Sequence, residues 1–135
     1  MNTGYLVMNI ARHLKYQLNQ ALVPASLTVQ QWAVLQQLQH HSPLTAIELT
    51  QRLDMDKPTI SGIIKRLSDK DFVAKQANPH DQRSQLLFLT TVGEQAAATG
   101  QAISDRVLDA ATSALSADEQ ETLNQLLTKI NPPKE

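Results

Sequence analysis

Between residues 56 and 84 the chain spaces its polar donors as a nucleic-acid contact would need them. In the run DKPTISGIIKRLSDKDF, the aliphatics Ile60, Ile63, Ile64 and Leu67 recur at helical spacing. One face of a helix then carries all four, and Lys57, Thr59, Ser61, Gly62, Lys65 and Arg66 fall outward or on the flank. Asp56 can cap the start of that helix, and Pro58 is tolerated in its first turn. Backbone N–H groups at such a start, with the Thr59 and Ser61 hydroxyls, suit phosphate, and lysine or arginine can reach the O6 and N7 of guanine. Gly62 costs a helix interior about 1 kcal/mol relative to alanine. Either a close approach of backbone to DNA or a tight helix–helix contact would justify it. The candidate DNA-binding residues on this helix are thus Lys57, Pro58, Thr59, Ser61, Gly62, Lys65 and Arg66.

Further along, Asn78-Pro79-His80-Asp81-Gln82-Arg83-Ser84 forms a polar tip between two strand-like runs. An arginine on a projecting loop can enter a narrow minor groove, where the negative potential is deepest. Asp81, two residues before Arg83, either holds the guanidinium or stiffens the turn.

These residues need elements to position them. Thr28-Val-Gln-Gln31, Thr45-Ala-Ile-Glu48, Thr91-Val-Gly-Glu94 and Ser116-Ala-Asp-Glu119 each fit a capping box and head an apolar-periodic segment. They predict an α-rich chain with helices over 3–21, 28–40, 45–53, 56–69, 91–114 and 117–130. Strands are expected at 72–76 and 85–89, HHSPL as a connector and NPPKE as the final stop. Ala46, Leu49 and Leu53 should face inward in the third helix, and Trp32, Leu35 and Leu38 in the second. Helix, turn, basic helix and two strands around a polar tip is the plan of a winged helix-turn-helix, a mainly α (α+β) fold. The stripes Leu6/Ile10/Leu14/Leu18 and Leu123/Leu126/Ile130 have little within such a core to cover them, so a homodimer is expected through the terminal helices, the alternative being that these helices pack on each other within one monomer. The chain reads as a single domain over 1–135, with a winged-helix lobe at 28–90 and dimerisation helices at 1–22 and 91–131.

The net charge of −1 hides an asymmetry. Residues 57–83 hold six cations against three carboxylates, whereas residues 84–135 hold three against seven. Positive charge gathers where phosphates would lie, and negative charge keeps the remainder off the duplex. Aromatics at 4% argue against single-strand binding by base stacking. The chain has no cysteine, which excludes disulfides, thiol redox sensing and Cys-ligated zinc. His13, His40, His41 and His80 show no metal-ligand spacing, since His40 and His41 are adjacent rather than four apart. No nucleophile elbow, phosphate loop, H-E-x-x-H or dinucleotide turn is present, so neither an enzyme nor a cofactor is expected. There is no signal-like start and no run of about 18–20 apolar residues, so the expected location is cytoplasmic, away from membranes.

N-P-H-D-Q-R-S, followed by L-F-L-T and Gly93, resembles the wing of the MarR family of bacterial and archaeal transcription regulators. L-D-M-D-K-P-T-I-S-G-I-I-K-R-L is similar to that family's recognition helix, and the likeness runs in order along essentially the whole chain. The resemblance implies a homodimer with intertwined terminal helices and two winged-helix lobes on a pseudo-palindromic double-stranded operator. It implies Arg83 as the minor-groove residue and Asp81 as its support. It also implies a repressor released by a small, often aromatic or phenolic, effector acid near the junction of arm and lobe, where His13, Tyr16 and Trp32 would lie. Two positions depart from the family pattern. Many members have glycine at Asp71, whose left-handed conformation Asp adopts less readily, and many have arginine at Gly62. The alternative reading is a winged-helix dimerisation or protein-interaction module without DNA contact. Such modules usually lose the outward cations that Lys57, Lys65, Arg66 and Arg83 retain here.

Overall fold

The computed structural model describes residues 2–131. Among them run α1 (Thr3–Leu22), a short 3-10 turn (Val23–Ala25), α2 (Val29–His41), α3 (Ala46–Leu53), α4 (Lys57–Asp69), β1 (Val73–Ala77), β2 (Gln85–Leu89), α5 (Thr91–Ala111) and α6 (Ala117–Ile130). The fold is the winged helix-turn-helix expected, flanked by long terminal helices.

Three helices start at full capping boxes: Thr28 with Gln31, Thr45 with Glu48, and Ser116 with Glu119. The fourth box does not form. α5 is capped instead by Thr90, whose hydroxyl oxygen accepts the Gly93 N–H at 2.9 Å. Thr90 is held there from outside the helix, because its own N–H donates to the Phe72 carbonyl at 3.1 Å and its hydroxyl to the Asp71 carbonyl at 2.6 Å. The residue three beyond this cap is Gly93, which has no side chain to return the bond. α5 also stops at Ala111, short of residue 114. There the Thr112 hydroxyl donates to the Leu108 carbonyl and the Ser113 hydroxyl to the Ala110 carbonyl, so side chains take the last acceptors. α6 ends at Ile130; the remainder of the expected NPPKE stop, residues 132–135, lies outside the described residues.

β1 and β2 pair antiparallel with Val73 opposite Leu89 and Ala77 opposite Gln85. A third strand position joins them. Leu44 exchanges both backbone hydrogen bonds with Leu87, at 3.1 and 2.8 Å, so the connector after α2 doubles as sheet edge. Beneath the sheet lies one core of Leu22, Trp32, Leu35, Leu38, Leu49, Ile60, Leu67, Val73, Leu87 and Ile103, with Ala46 and Leu53 packed against it. Ile60, Ile63, Ile64 and Leu67 anchor α4 to that core, each aliphatic contributing about 1.5–3 kcal/mol. α5 approaches α2 closely at Gly100, where a Cβ would overlap the Trp32 indole.

The terminal helices are only partly covered: on α1 Leu14 and Leu18 are half-buried, whereas Leu6 and Ile10 are exposed. Leu22 is the one buried residue of α1, and α6 has none. Tyr5, Leu6, Val7, Met8 and Ile10 on α1 and Leu123, Leu126, Leu127 and Ile130 on α6 are exposed. No helix among the described residues is long and apolar enough to cross a membrane.

Candidate nucleic-acid interface

Burial of its aliphatic stripe fixes which way α4 faces. Lys57, Pro58, Ser61, Gly62, Lys65 and Arg66 are exposed, and Thr59 is half-buried. The Asp56 carboxylate caps the helix by accepting the Thr59 N–H at 2.8 Å. Hydrogen bonds from the Thr59 side chain and backbone hold that carboxyl below its usual value of 3.8. Lys65 pairs with Asp69 at 3.6 Å, but both side chains are open to water, so the pair is weak and free to exchange for a phosphate. A Cβ built on Gly62 meets nothing within 4 Å. A helix–helix contact within the chain therefore does not account for this glycine. It leaves a bare strip of backbone on the outer face of α4.

The wing tip is tied to itself. The His80 N–H donates to Asn78 Oδ1 at 3.0 Å, the Asn78 amide to Ser84 Oγ at 2.9 Å, and the Ser84 N–H to the Asp81 carbonyl at 3.2 Å. Asp81 Oδ1 accepts the Arg83 N–H at 3.0 Å and lies 3.5 Å from Arg83 Nε. It thus stiffens the turn and flanks the guanidinium at once. The Arg83 side chain remains 93% exposed while holding this contact.

α3, α4 and the wing together enclose an open cleft of about 270 Å3. Lys57, Ser61, Lys75 and Arg83 supply its polar wall, and Ile47 and Leu87 its apolar one. The fold therefore gathers two of the candidates from α4, Lys57 and Ser61, with Arg83 of the wing, more than twenty positions further along the chain. Lys75 and Ile47 were not among the sequence candidates. For Lys75 the signal was its charge within the basic stretch 57–83; strand alternation sets it on the face of buried Val73 and opposite buried Leu87, and it is exposed nonetheless. Ile47 carried none, because a single exposed aliphatic on a short helix is ordinary.

The three residues linked to an effector take different environments. Trp32 is buried between α2 and α5, and its Nε1 has no hydrogen-bond partner. Tyr16 is 66% exposed on α1, and His13 is exposed as well. None of the three lines the cleft at the wing. Among the described residues, no group of three or more His, Asp or Glu side chains is placed to hold a metal ion.

The MarR family model matches residues 27–85. The HTH-type transcriptional regulator MgrA of Staphylococcus aureus is 32% identical over 116 residues, covering 86% of this chain and 78% of that protein. The multiple antibiotic resistance protein MarR of Escherichia coli is 32% identical over 133 residues, covering 96% of this chain and 90% of its own. A crystal structure of a mutant E. coli MarR complexed with operator DNA superposes with a TM-score of 0.85 at 31% identity, covering 96% of this chain and 93% of that one.

Proposed function

This chain belongs to the MarR family and is a transcriptional regulator rather than an enzyme, and from that premise we propose how it reads DNA. A homodimer sets two copies of α4 into successive major grooves of a pseudo-palindromic operator, with half-sites about 10 bp apart. Lys57, Pro58, Thr59, Ser61, Gly62, Lys65 and Arg66 meet the groove and its phosphates, and Lys75 adds a phosphate contact from β1. Arg83 enters the adjacent minor groove, oriented by Asp81. Residues 28–90 form the DNA-binding lobe, and residues 1–22 and 91–131 the arm that pairs the two copies. The regulator acts as a repressor, occluding its operator until a small aromatic or phenolic acid releases it.

One observation carries this reading: Lys57, Ser61, Lys75 and Arg83 converge on a single open cleft in a chain whose overall charge is −1. A fold so close to that of an E. coli MarR held on operator DNA supports it further. The effector reading draws support from Trp32, whose buried indole N–H lacks an acceptor at the junction of α2 with α5. Trp32 is also the chain's single tryptophan. Benzoate titrated into the protein would therefore report binding through one fluorophore.

The decisive experiment enriches duplexes from a randomised library with the full-length protein and titrates the recovered inverted repeat at several salt concentrations. Affinity should fall steeply with salt as bound counterions are released. A flat log–log plot, or equal preference for single strands, would instead favour a protein-interaction module.

A further inference from the structure

Lys70 belongs to the basic stretch of the chain, yet its side chain does not turn toward the cleft. It sits at the C-cap of α4, half-buried, with its N–H on the Arg66 carbonyl at 3.2 Å. Its ammonium reaches back across the molecule to the link between α1 and α2. There it donates to the Ser26 carbonyl and, at 3.3 Å, to Gln31 Oε1. The same Gln31 oxygen closes the cap of α2 by accepting the Thr28 N–H at 3.2 Å, and Gln31 is itself buried. The link is in turn fastened to α1, because Asn19 Oδ1 accepts the Val29 N–H at 3.0 Å. The ammonium also lies 6.0 Å from the centre of the Phe72 ring.

The opposite side of the same turn is fastened to α5. Thr90 bonds the carbonyls of both Asp71 and Phe72, and Gly93 packs so closely on the Phe72 carbonyl that any Cβ there would overlap it. Asp71 takes the left-handed conformation, φ 64°, to make this turn. Residues 70–72 are thus the point where the end of α4 meets the α1–α2 link on one side and α5 on the other, α1 and α5 being helices of the proposed dimer arm. The other end of α4, with Lys57 and Ser61, is the one proposed to enter the groove.

We infer that Lys70 is a positioning residue that sets the angle of α4 against the α1–α2 link, and so the half-site spacing the dimer accepts. The inference rests on the DNA-binding reading above. Thirteen residues of helix span about 20 Å. A rotation of about 10° at the Lys70 end therefore moves the groove-facing end by about 3 Å, close to one base-pair rise. Lys70 is the polar tether between this pivot and the α1–α2 link, and the rest of the α4 contact with the core is aliphatic and non-directional.

The test uses the full-length protein and the inverted repeat it enriches from a randomised duplex library. That repeat is remade with its spacer lengthened and shortened by one and two base pairs, together with a duplex carrying one half-site. Wild type should show a sharp optimum of spacing. Lys70→Met keeps the stem but removes the ammonium. It should lose about five- to ten-fold at the optimum and flatten the profile. Single half-site affinity and the salt slope should stay at wild-type values. Lys70→Arg, which can still reach both acceptors, should restore the sharp optimum. Lys70→Gln serves with the same expectation as Lys70→Met if a thermal melt shows that the latter fails to fold. A wild-type profile in the folded neutral variant overturns the inference. A uniform loss at every spacing with a shallower salt slope does so too, by making Lys70 a phosphate contact. If wild type itself binds no duplex, the DNA reading falls first; if wild type keeps its optimum and Lys70→Met shares it, only this inference falls.

Discussion

Arg83 places its charge where nothing else in the chain depends on it. Its side chain is almost wholly in water, so truncation opens no cavity. Arg83→Ala should therefore leave the melting temperature unchanged and weaken binding of the enriched duplex about ten- to a hundred-fold, equivalent to about 1–3 kcal/mol. Titration by fluorescence anisotropy beside a thermal melt checks both halves. A variant that binds like wild type would remove the wing from the reading surface. Asp81→Ala should cost less affinity, because a carboxylate repels the duplex and helps only by orienting its neighbour and stiffening the turn. Gly62 gives the complementary case. Since its Cβ would meet nothing, Gly62→Ala should raise stability by about 1 kcal/mol. The same methyl should lower duplex affinity, because it stands on the strip of backbone proposed to lie against the groove. Unchanged affinity would mean that α4 seats less deeply.

At the scale of elements, α4 owes its start to one carboxylate. The folded Asp56 carboxyl titrates below its usual value, so its contribution is fully present above that value and is lost as pH falls through the folded one. The melting temperature of wild type should accordingly decline below about pH 4 with a slope that Asp56→Asn reduces. Glu119, bonded by the Ser116 backbone and hydroxyl, adds to the same acid loss through α6. If the two proteins show parallel profiles, the cap is not what titrates. α5 depends on a close approach instead. Gly100→Ala forces a methyl into the Trp32 indole, and overpacking of this kind costs about 1–3 kcal/mol. A lowered melting temperature with a shifted emission from the single tryptophan is the expected signature.

The molecule as a whole leaves two apolar helices facing water. Burial of each leucine or isoleucine there would gain about 1.5–3 kcal/mol, and a second copy offers the same faces in return. Sedimentation at micromolar concentration should give twice the chain mass. Replacing Leu126 and Ile130 by aspartate should give a monomer that loses preference for paired half-sites. A wild-type chain that stays monomeric and folded on dilution would remove the two-lobed arrangement altogether. The charge asymmetry fits the same picture, since the acidic segment from residue 84 onward would be repelled by a phosphate backbone.

Much of this architecture is written locally. A capping box joins residues three apart and an aliphatic stripe repeats every three or four, so helix starts at Thr28, Thr45 and Ser116 and the orientation of α4 follow from sequence. The two strands, the polar wing tip, the α6 stripe and the outer half of the α1 stripe, Leu6 and Ile10, were legible for the same reason; Leu14 and Leu18 are half-buried within the chain. Where a distant partner competes, local pattern misleads. Thr91 and Glu94 satisfy the box, but the Phe72 and Asp71 carbonyls hold Thr90 as the true cap. Leu44 looks like loop and is a strand position, because its hydrogen bonds go to Leu87. The cleft gathers Ile47 and Lys75 with Arg83, and Lys70 reaches Ser26 at a separation of 44 residues. Such pairings carry no periodicity and no spacing rule. They exist only once burial of the core has brought the end of α4 against the α1–α2 link and α5, so only the tertiary structure decides them.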